Sequence, residues 1–443
     1  VTSKNYRVTK FIMTKKDEQF IGHFHDLGIT ENILAILTKN DFDTPTPIQH
    51  QIIPGALGGK DVIGIAQTGT GKTLAFGIPI IQRLMANKRQ GLILVPTREL
   101  ALQVEQALKQ ITTPLSLRCA VIIGGVPQYR QVKELKRDPH IVIATPGRLD
   151  DLMKQGRYKL DRVGIITLDE ADRMLDVGFL PQIRRVLQTA PKDRQTMLFS
   201  ATMPKTISTL ASTFMKTPLR VEVASQGTLP ENIEQEVFMV SKGNKMRLLA
   251  LLLKEYRDDI TLIFSRTKHG ASRIARDIRN LGHTATEIHS NRSQPQRKAA
   301  LEGFREGKFR IMVATDIAAR GIDVKEISLV INFDLPDNSE DYVHRIGRTG
   351  RIGRHGKAIT FAMPSQRADI RKIEALIRKP LPILSHPSLP KEKEEPAHEG
   401  KSSAQKRNRF SKPYRGSGSS SGGRKNYSQN SRRNNRGLRR SNK

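Results

Sequence analysis

Two stretches, about a hundred residues apart, carry residue types that could handle a phosphate. The first, AQTGTGKT at 66–73, follows the apolar run DVIGIA and precedes the helical pattern LAFGIPIIQRL. Gly69 and Gly71 let backbone N–H groups face an anion with no Cβ in the way; Ala66, Gln67, Thr68 and Thr70 complete the loop. Lys72 would reach the β- and γ-phosphates of a nucleotide, and the Thr73 hydroxyl would ligate Mg2+. The helix N-terminus behind the loop adds its dipole. Ala66 stands where the general pattern has Gly, so the match is imperfect. The bland alternative is a Gly/Thr-rich turn with a chance lysine, which the strand, loop and helix order disfavours.

The second stretch, VGIITLDEADRMLD at 163–176, ends an apolar run in Asp169, Glu170 and Asp172. Three carboxylates in four residues repel one another and are costly to desolvate. Standing alone, they would read as an acidic helix N-terminus complementing the macrodipole. Beside a phosphate loop, Asp169 at a strand end can hold Mg2+ through water, and Glu170 can orient or deprotonate an attacking water.

The elements that must position these residues follow an α/β rhythm. Strands are expected at 61–66, 91–96, 119–125, 141–145, 163–169 and 195–202, then at 261–265, 310–315, 327–333 and 358–363. Continuous apolar runs of this kind suit parallel strands buried on both faces. Leu100, Val104 and Leu108 recur at the spacing of an amphipathic helix. The segment VASQGTLPENIEQ (223–235) interrupts the alternation and reads as a linker. The expected organisation is a flexible segment 1–20, a first domain 21–223, a linker 224–232, a second domain 233–384 and a disordered basic tail 385–443.

The formal charge of +32 points to a polyanionic partner, most simply nucleic acid. The tail from 401 onward contributes 14 Lys/Arg and no Asp/Glu. A lone cysteine, Cys119, excludes an intramolecular disulfide and a thiolate-rich zinc site, and suits a reducing compartment. No apolar run approaches the ~20 residues of a membrane span, and no secretory signal is visible. A soluble, cytoplasmic protein without a membrane partner is expected.

Spelled out, 169–172 is the D-E-A-D box, and from about Phe24 to Arg378 the chain resembles the DEAD-box ATP-dependent RNA helicases. LIFSRTKHGA (262–271) is similar to the bacterial RhlE-like branch. The resemblance implies two tandem RecA-like domains with parallel sheets flanked by helices, ATP and Mg2+ as cofactors, and RNA-stimulated hydrolysis. FDTPTPIQ (42–49) matches the Q motif, with Phe42 in it and Phe24 as its upstream aromatic. Gln49 carries the amide that can read an adenine edge bidentately, and Phe24 could stack on the purine, though alone it would more often be core. The family gives Ser200, Ala201 and Thr202 the role of bonding the D-E-A-D carboxylates, Asp172 among them, with His344 also in this coupling. In HRIGRTGR (344–351) it makes Arg348 and Arg351 arginine fingers; three arginines there could equally be an RNA patch. Asp323 would accept a hydrogen bond from the ribose.

The resemblance assigns RNA contacts to Pro96, Thr97, Arg98, Gly125, Thr145, Pro146, Gly147 and Arg148 in the first domain. In the second it assigns Arg266, Thr267, Gln294, Arg297, Thr315 and Arg320. Hydroxyls, arginines and backbone amides suit phosphate and sugar, so sequence-independent binding of single strands and short duplexes is implied. Ser290 departs from the family by standing where Gly is common. Ribosomal and RNA-decay assemblies are both open as settings. Two rivals stand beside this assignment: a DNA-directed helicase-fold ATPase, and an RNA chaperone working through its basic tail.

Overall fold

The computed structural model describes residues 11–12, 22–67, 69–87, 89–223, 232–319, 327–350 and 355–389. Among the described residues, fifteen strands form two all-parallel sheets, eight in the first and seven in the second. The first holds β1 (Phe11–Ile12), β2 (Val62–Ile65), β3 (Gln90–Leu94), β4 (Cys119–Ile122), β5 (Ile141–Ala144), β6 (Val163–Leu168), β7 (Gln195–Ser200) and β8 (Leu219–Glu222). Its spatial order is β1-β8-β2-β7-β6-β3-β5-β4. The second holds β9 (Ile233–Met239), β10 (Thr261–Phe264), β11 (Ala285–Ile288), β12 (Ile311–Ala314), β13 (Leu329–Asn332), β14 (Gly356–Ala362) and β15 (Ile383–Leu384). Its order is β11-β12-β10-β13-β14-β9-β15.

The apolar runs behave as parallel strands should. In β5, Ile141 and Ile143 enter one core while Val142 and Ala144 enter another on the opposite face. In β10, Ile263 and the pair Leu262 and Phe264 divide in the same way. Helices cover both faces, because a strand apolar on both sides must be buried on both.

Several expectations need correction. Phe11 and Ile12, placed in the flexible segment, pair with Val221 and Glu222. β9 begins at Ile233, the first residue assigned to the second domain, although it overlaps the last residues of the stretch 223–235, and it pairs along its length with β14. β8 and β11 had no counterpart among the expected strands. Residues 385–389 are described rather than disordered, and Leu389 packs against the second core. The remainder of the tail, 390–443, and linker residues 224–231 lie outside the described residues. Among the described residues, no helix is long and apolar enough to cross a membrane.

Candidate nucleotide and RNA site

The strand order of the first sheet divides the expected site in two. β2, β7 and β6 lie side by side, and their carboxyl ends deliver the phosphate loop, Ser200 and Asp169 to one edge. β3, β5 and β4 follow, and their ends deliver Pro96-Thr97, Thr145-Pro146 and Gly124-Gly125. Such carboxyl ends are where open parallel sheets bind ligands. The halves meet where the Asp169 backbone N–H donates to the Leu94 carbonyl at 3.0 Å.

On the first half, Gly71 caps helix Lys72–Ala86 in the left-handed region, at φ 89°. Lys72 is buried and donates from Nζ to the Ala66 carbonyl at 3.0 Å. Thr70 Oγ1 donates to the Gln67 carbonyl at 2.8 Å, folding the loop back on itself. Thr73 lies second in the helix. Thr68 lies outside the described residues. Gln49 occupies an unexpected place. Its Nε2 donates to the Gly71 carbonyl at 3.0 Å, and its Oε1 accepts from the Thr46 N–H at 2.8 Å. One amide N–H and one lone pair are left for a base, so Gln49 here ties the Q-motif helix Pro47–Leu57 to the phosphate loop. A side chain at position 71 would collide with it. Phe24 is a core residue, 4% exposed among Leu27 and Ile29, not a ring offered to a purine. Phe42 packs half-buried against the same core.

Asp169 is fully enclosed, and burial first, then the neighbouring Glu170 and Asp172 charges, push its carboxyl up to about 6 against the pull of Lys72. Glu170 has φ 52°, a left-handed backbone that costs a non-glycine roughly 1–2 kcal/mol. Its carboxylate makes no cap bond to the short helix Ala171–Asp176, and buried Oε2 finds no hydrogen-bond partner among the described residues. An acidic cap for a helix would have used that oxygen. A raised, crowded carboxyl beside a lysine, with an orphaned oxygen next to it, is a donor set that suits Mg2+ and a water.

Asp172 is satisfied by protein. Its Oδ2 accepts from the Ala201 N–H (3.2 Å), the Thr202 N–H (2.9 Å) and Thr202 Oγ1 (2.9 Å). Ser200 Oγ accepts from the Asp172 N–H at 3.1 Å. Next in sequence, buried Arg173 pairs with Asp341 from the second lobe. A cavity of about 260 Å³ beside this pair is lined by Asp172, Thr202, Asn338 and His344, among others. Arg345 is 2% exposed and bidentate to Asp316, at 2.6 and 2.7 Å, so this member of the three-arginine segment is structural. Arg348 is buried and donates to the His344 carbonyl at 3.3 Å. Arg351, Asp323 and Arg320 lie outside the described residues.

On the second half, Thr97 caps helix Arg98–Thr112, and the Arg98 side chain lies over Gly125, at φ 75°, where a Cβ would collide with it. Arg148 donates to the Val126 carbonyl at 3.1 Å. Thr145, Pro146 and Gly147 open helix Pro146–Lys154. From the second lobe, Arg297 reaches across to buried Glu99 at 2.7 Å, a pair the sequence held inside PTRELA but left unassigned. Burial, then Arg297 and Arg148, hold Arg98 below the ordinary arginine range, with Glu99 opposing them. Gln294 opens the same helix as Arg297. Thr267 caps helix Lys268–Asn280, and Arg266 pairs with exposed Asp337 at 3.3 Å. Thr315 accepts from Ala318 and Ala319 at the end of β12.

The DEAD/DEAH box helicase family model matches residues 46–210, and the helicase conserved C-terminal domain model matches 244–353. The chain is 40% identical over 368 residues to the DEAD-box ATP-dependent RNA helicase CshA of Geobacillus kaustophilus, covering 83% of this chain and 79% of that one. It is 40% identical over 367 residues to the ATP-dependent RNA helicase CshA of Listeria monocytogenes, covering 82% and 71%. Among solved structures, S. cerevisiae Dbp5 bound to RNA and ADP BeF3 aligns with a TM-score of 0.75 at 28% identity, over 82% of this chain and 95% of that one. Mss116p bound to ssRNA and AMP-PNP aligns with a TM-score of 0.78 at 28% identity, over 84% and 81%. The two bacterial relatives carry the name CshA, not RhlE.

Proposed function

This chain belongs to the DEAD-box ATP-dependent RNA helicases, and from that premise we propose that it melts short RNA duplexes locally and remodels RNA or RNA–protein complexes by closing a cleft between its lobes. It is an RNA-dependent ATPase and helicase. What carries the closure mechanism is the pair of cross-lobe ion pairs, one on each half of the site. Arg173–Asp341 lies next to the carboxylate that the 200–202 turn holds, and Glu99–Arg297 lies among the arginines assigned to RNA. Both pairs are largely buried, and removing one partner of such a pair leaves a costly buried charge. Each therefore favours the lobes together while it is formed.

In this scheme Lys72 leaves the Ala66 carbonyl for the terminal phosphates of ATP, and Arg348 with Arg351 supplies positive charge from the second lobe. Asp169, through water, and Thr73 would hold Mg2+, which neutralises phosphate charge when bound. Glu170 orients the attacking water and accepts its proton. Asp172 transmits the state of the site to residues 200–202 and so to the lobe contact. Arg98, Arg148 and the loop ends grip phosphate and sugar of a single strand, which makes the binding independent of base sequence. Ribosomal or RNA-decay assemblies in the cytoplasm are settings compatible with this chemistry. Placement in an RhlE-like branch rests on residues 262–271 alone.

The test is steady-state ATPase activity with Mg2+, alone, with single-stranded RNA and with matched DNA, on the wild type and on Glu170→Gln. RNA alone is expected to stimulate the wild type, and the variant to bind ATP and RNA while turning over at least a hundredfold more slowly. Equal stimulation by DNA, or wild-type turnover in the variant, would overturn the scheme.

A further inference from the structure

Among the described residues, Tyr129 is the one phenylalanine or tyrosine ring that stands mostly in solvent, at 67% exposure. A single exposed apolar side chain ordinarily needs no explanation. Its surroundings set this one apart. Tyr129 lies in the first turn of helix Gln128–Leu135, four residues after Gly125, on whose loop the Arg98 and Arg148 side chains rest. Four residues span at most about 14 Å of backbone, so the Tyr129 Cα lies within about four stacked nucleotide rises of 3.4 Å of Gly125.

The helix and the loop are clamped together. Buried Gln131 accepts from the Ile123 N–H at 3.0 Å, and its Nε2 donates to the carbonyls of Ile123 at 2.9 Å and Val126 at 3.3 Å. All of its amide capacity but one lone pair is spent on this connection. The ring is thus held in register with the arginines instead of drifting with a free surface helix. Arg130 donates from Nε to Tyr129 Oη at 3.0 Å, and its guanidinium carbon sits 5.7 Å from the ring centroid. Exposed Lys133, Lys136 and Arg137 continue the positive face. The other groups assigned to RNA in this lobe are prolines, hydroxyls, arginines and backbone amides, none of which offers an aromatic ring. A flat ring beside cations is what a nucleobase leaving a phosphate-gripping groove would meet.

We propose that Tyr129, supported by Arg130, is a stacking subsite for one base of single-stranded RNA, flanking the segment held by Gly125, Arg98 and Arg148. It rests on the assignment of that loop face to RNA. A stacked base has no sequence requirement, so the subsite lengthens the footprint without creating base specificity.

The experiment uses the full chain with Mg2+ and a non-hydrolysable ATP analogue, and fluorescence anisotropy of labelled RNAs. One RNA is a minimal single strand; others add four nucleotides at the 5′ or the 3′ end, with normal or abasic residues. One normal extension is expected to tighten binding by about five- to tenfold, and an abasic one not to. Tyr129→Ala should erase that gain and leave the minimal strand unaffected, while Tyr129→Phe should keep it. Because the chain contains no Trp, Tyr129→Trp adds a single reporter. Its emission should be quenched by the extended RNA and not by the abasic one. An unchanged gain in Tyr129→Ala, or an equal loss on minimal and abasic strands, overturns the subsite. Arg98→Gln with Arg148→Gln tests the groove separately: it should weaken every RNA alike. If the minimal strand binds that double variant as well as the wild type, the groove itself is misassigned and the subsite falls with it.

Discussion

Replacing Asp169 with Asn should make the nucleotide-free protein more stable while abolishing its turnover. Asp169 is fully enclosed and its carboxyl is raised from an ordinary 3.8 to about 6. Each tenfold change in proton affinity corresponds to 1.36 kcal/mol, so ionised Asp169 disfavours the folded state by about 3 kcal/mol. Asn resembles the protonated acid and can still accept the Glu170 N–H, which Asp169 Oδ1 now accepts at 3.0 Å. The sign follows from proton binding. Between pH 3.8 and 6 the folded wild type holds a proton that the unfolded chain has lost, so wild-type stability falls as pH rises through that window. The advantage of the variant should therefore be near zero below pH 4, about half developed at pH 5 and complete above pH 7. For a lobe of this size ~3 kcal/mol is a ceiling of roughly 6–12 °C in Tm. Urea titrations at pH 4 and pH 8, followed by circular dichroism, read the difference directly. Equal stability of the two proteins at pH 8, or a gain at pH 4 as large as at pH 8, would refute the burial argument.

Other perturbations address the contacts one at a time. Glu99→Gln leaves Arg297 unpaired beside Arg98 and Arg148, and should lower RNA-stimulated turnover more than tenfold; the swap Glu99→Arg with Arg297→Glu should recover part of it, and no recovery would argue against a direct pair. Thr202→Val removes one of the three hydrogen bonds on Asp172 Oδ2, worth about 1.5–3 kcal/mol to a charged acceptor. Stimulation by RNA should fall severalfold with RNA-free turnover little changed, and an equal loss of both would contradict a coupling role. Arg345→Met strands the Asp316 carboxylate and should destabilise the second lobe by about 3–5 kcal/mol, visible as faster proteolysis of that lobe. Weakened RNA binding in a lobe that resists proteolysis as before would return Arg345 to the RNA surface.

The strands that sequence patterning located are those with unbroken apolar runs, such as Ile141–Ala144 and Ile311–Ala314, with every residue buried. Those it missed lie near edges or carry polar residues. β11 reads ATEI, and its buried Glu287 faces Arg292 and His289. β9 reads IEQEVFM with alternating burial, a period-2 signal hidden by the preceding Pro- and Gly-rich stretch. At the site, residue types and spacing pointed to the phosphate loop and the three carboxylates, because each follows a legible strand, while the 200–202 turn was singled out only by the family resemblance. Partners were less legible. Nothing in the sequence says that Gln49 spends its amide on the Gly71 carbonyl or that Arg345 is consumed by Asp316, and for Phe24 the plain core reading, not the family's stacking role, matches its burial. Glu99 and Asp341 answer arginines 198 and 168 residues away, which only tertiary structure can pair.

The strand order of the first sheet bears on how such a protein can diversify. In the proposed scheme the hydrolytic loops follow β2, β7 and β6 and the RNA-gripping loops follow β3, β5 and β4, the two sets meeting where β6 pairs with β3. Loops on the gripping strands can lengthen, exchange or gain a ring such as Tyr129 while the hydrolytic loops keep their ancestral spelling. Duplicated copies could thus drift toward different RNAs by rewriting three turns, with one inherited engine carried unchanged beneath them.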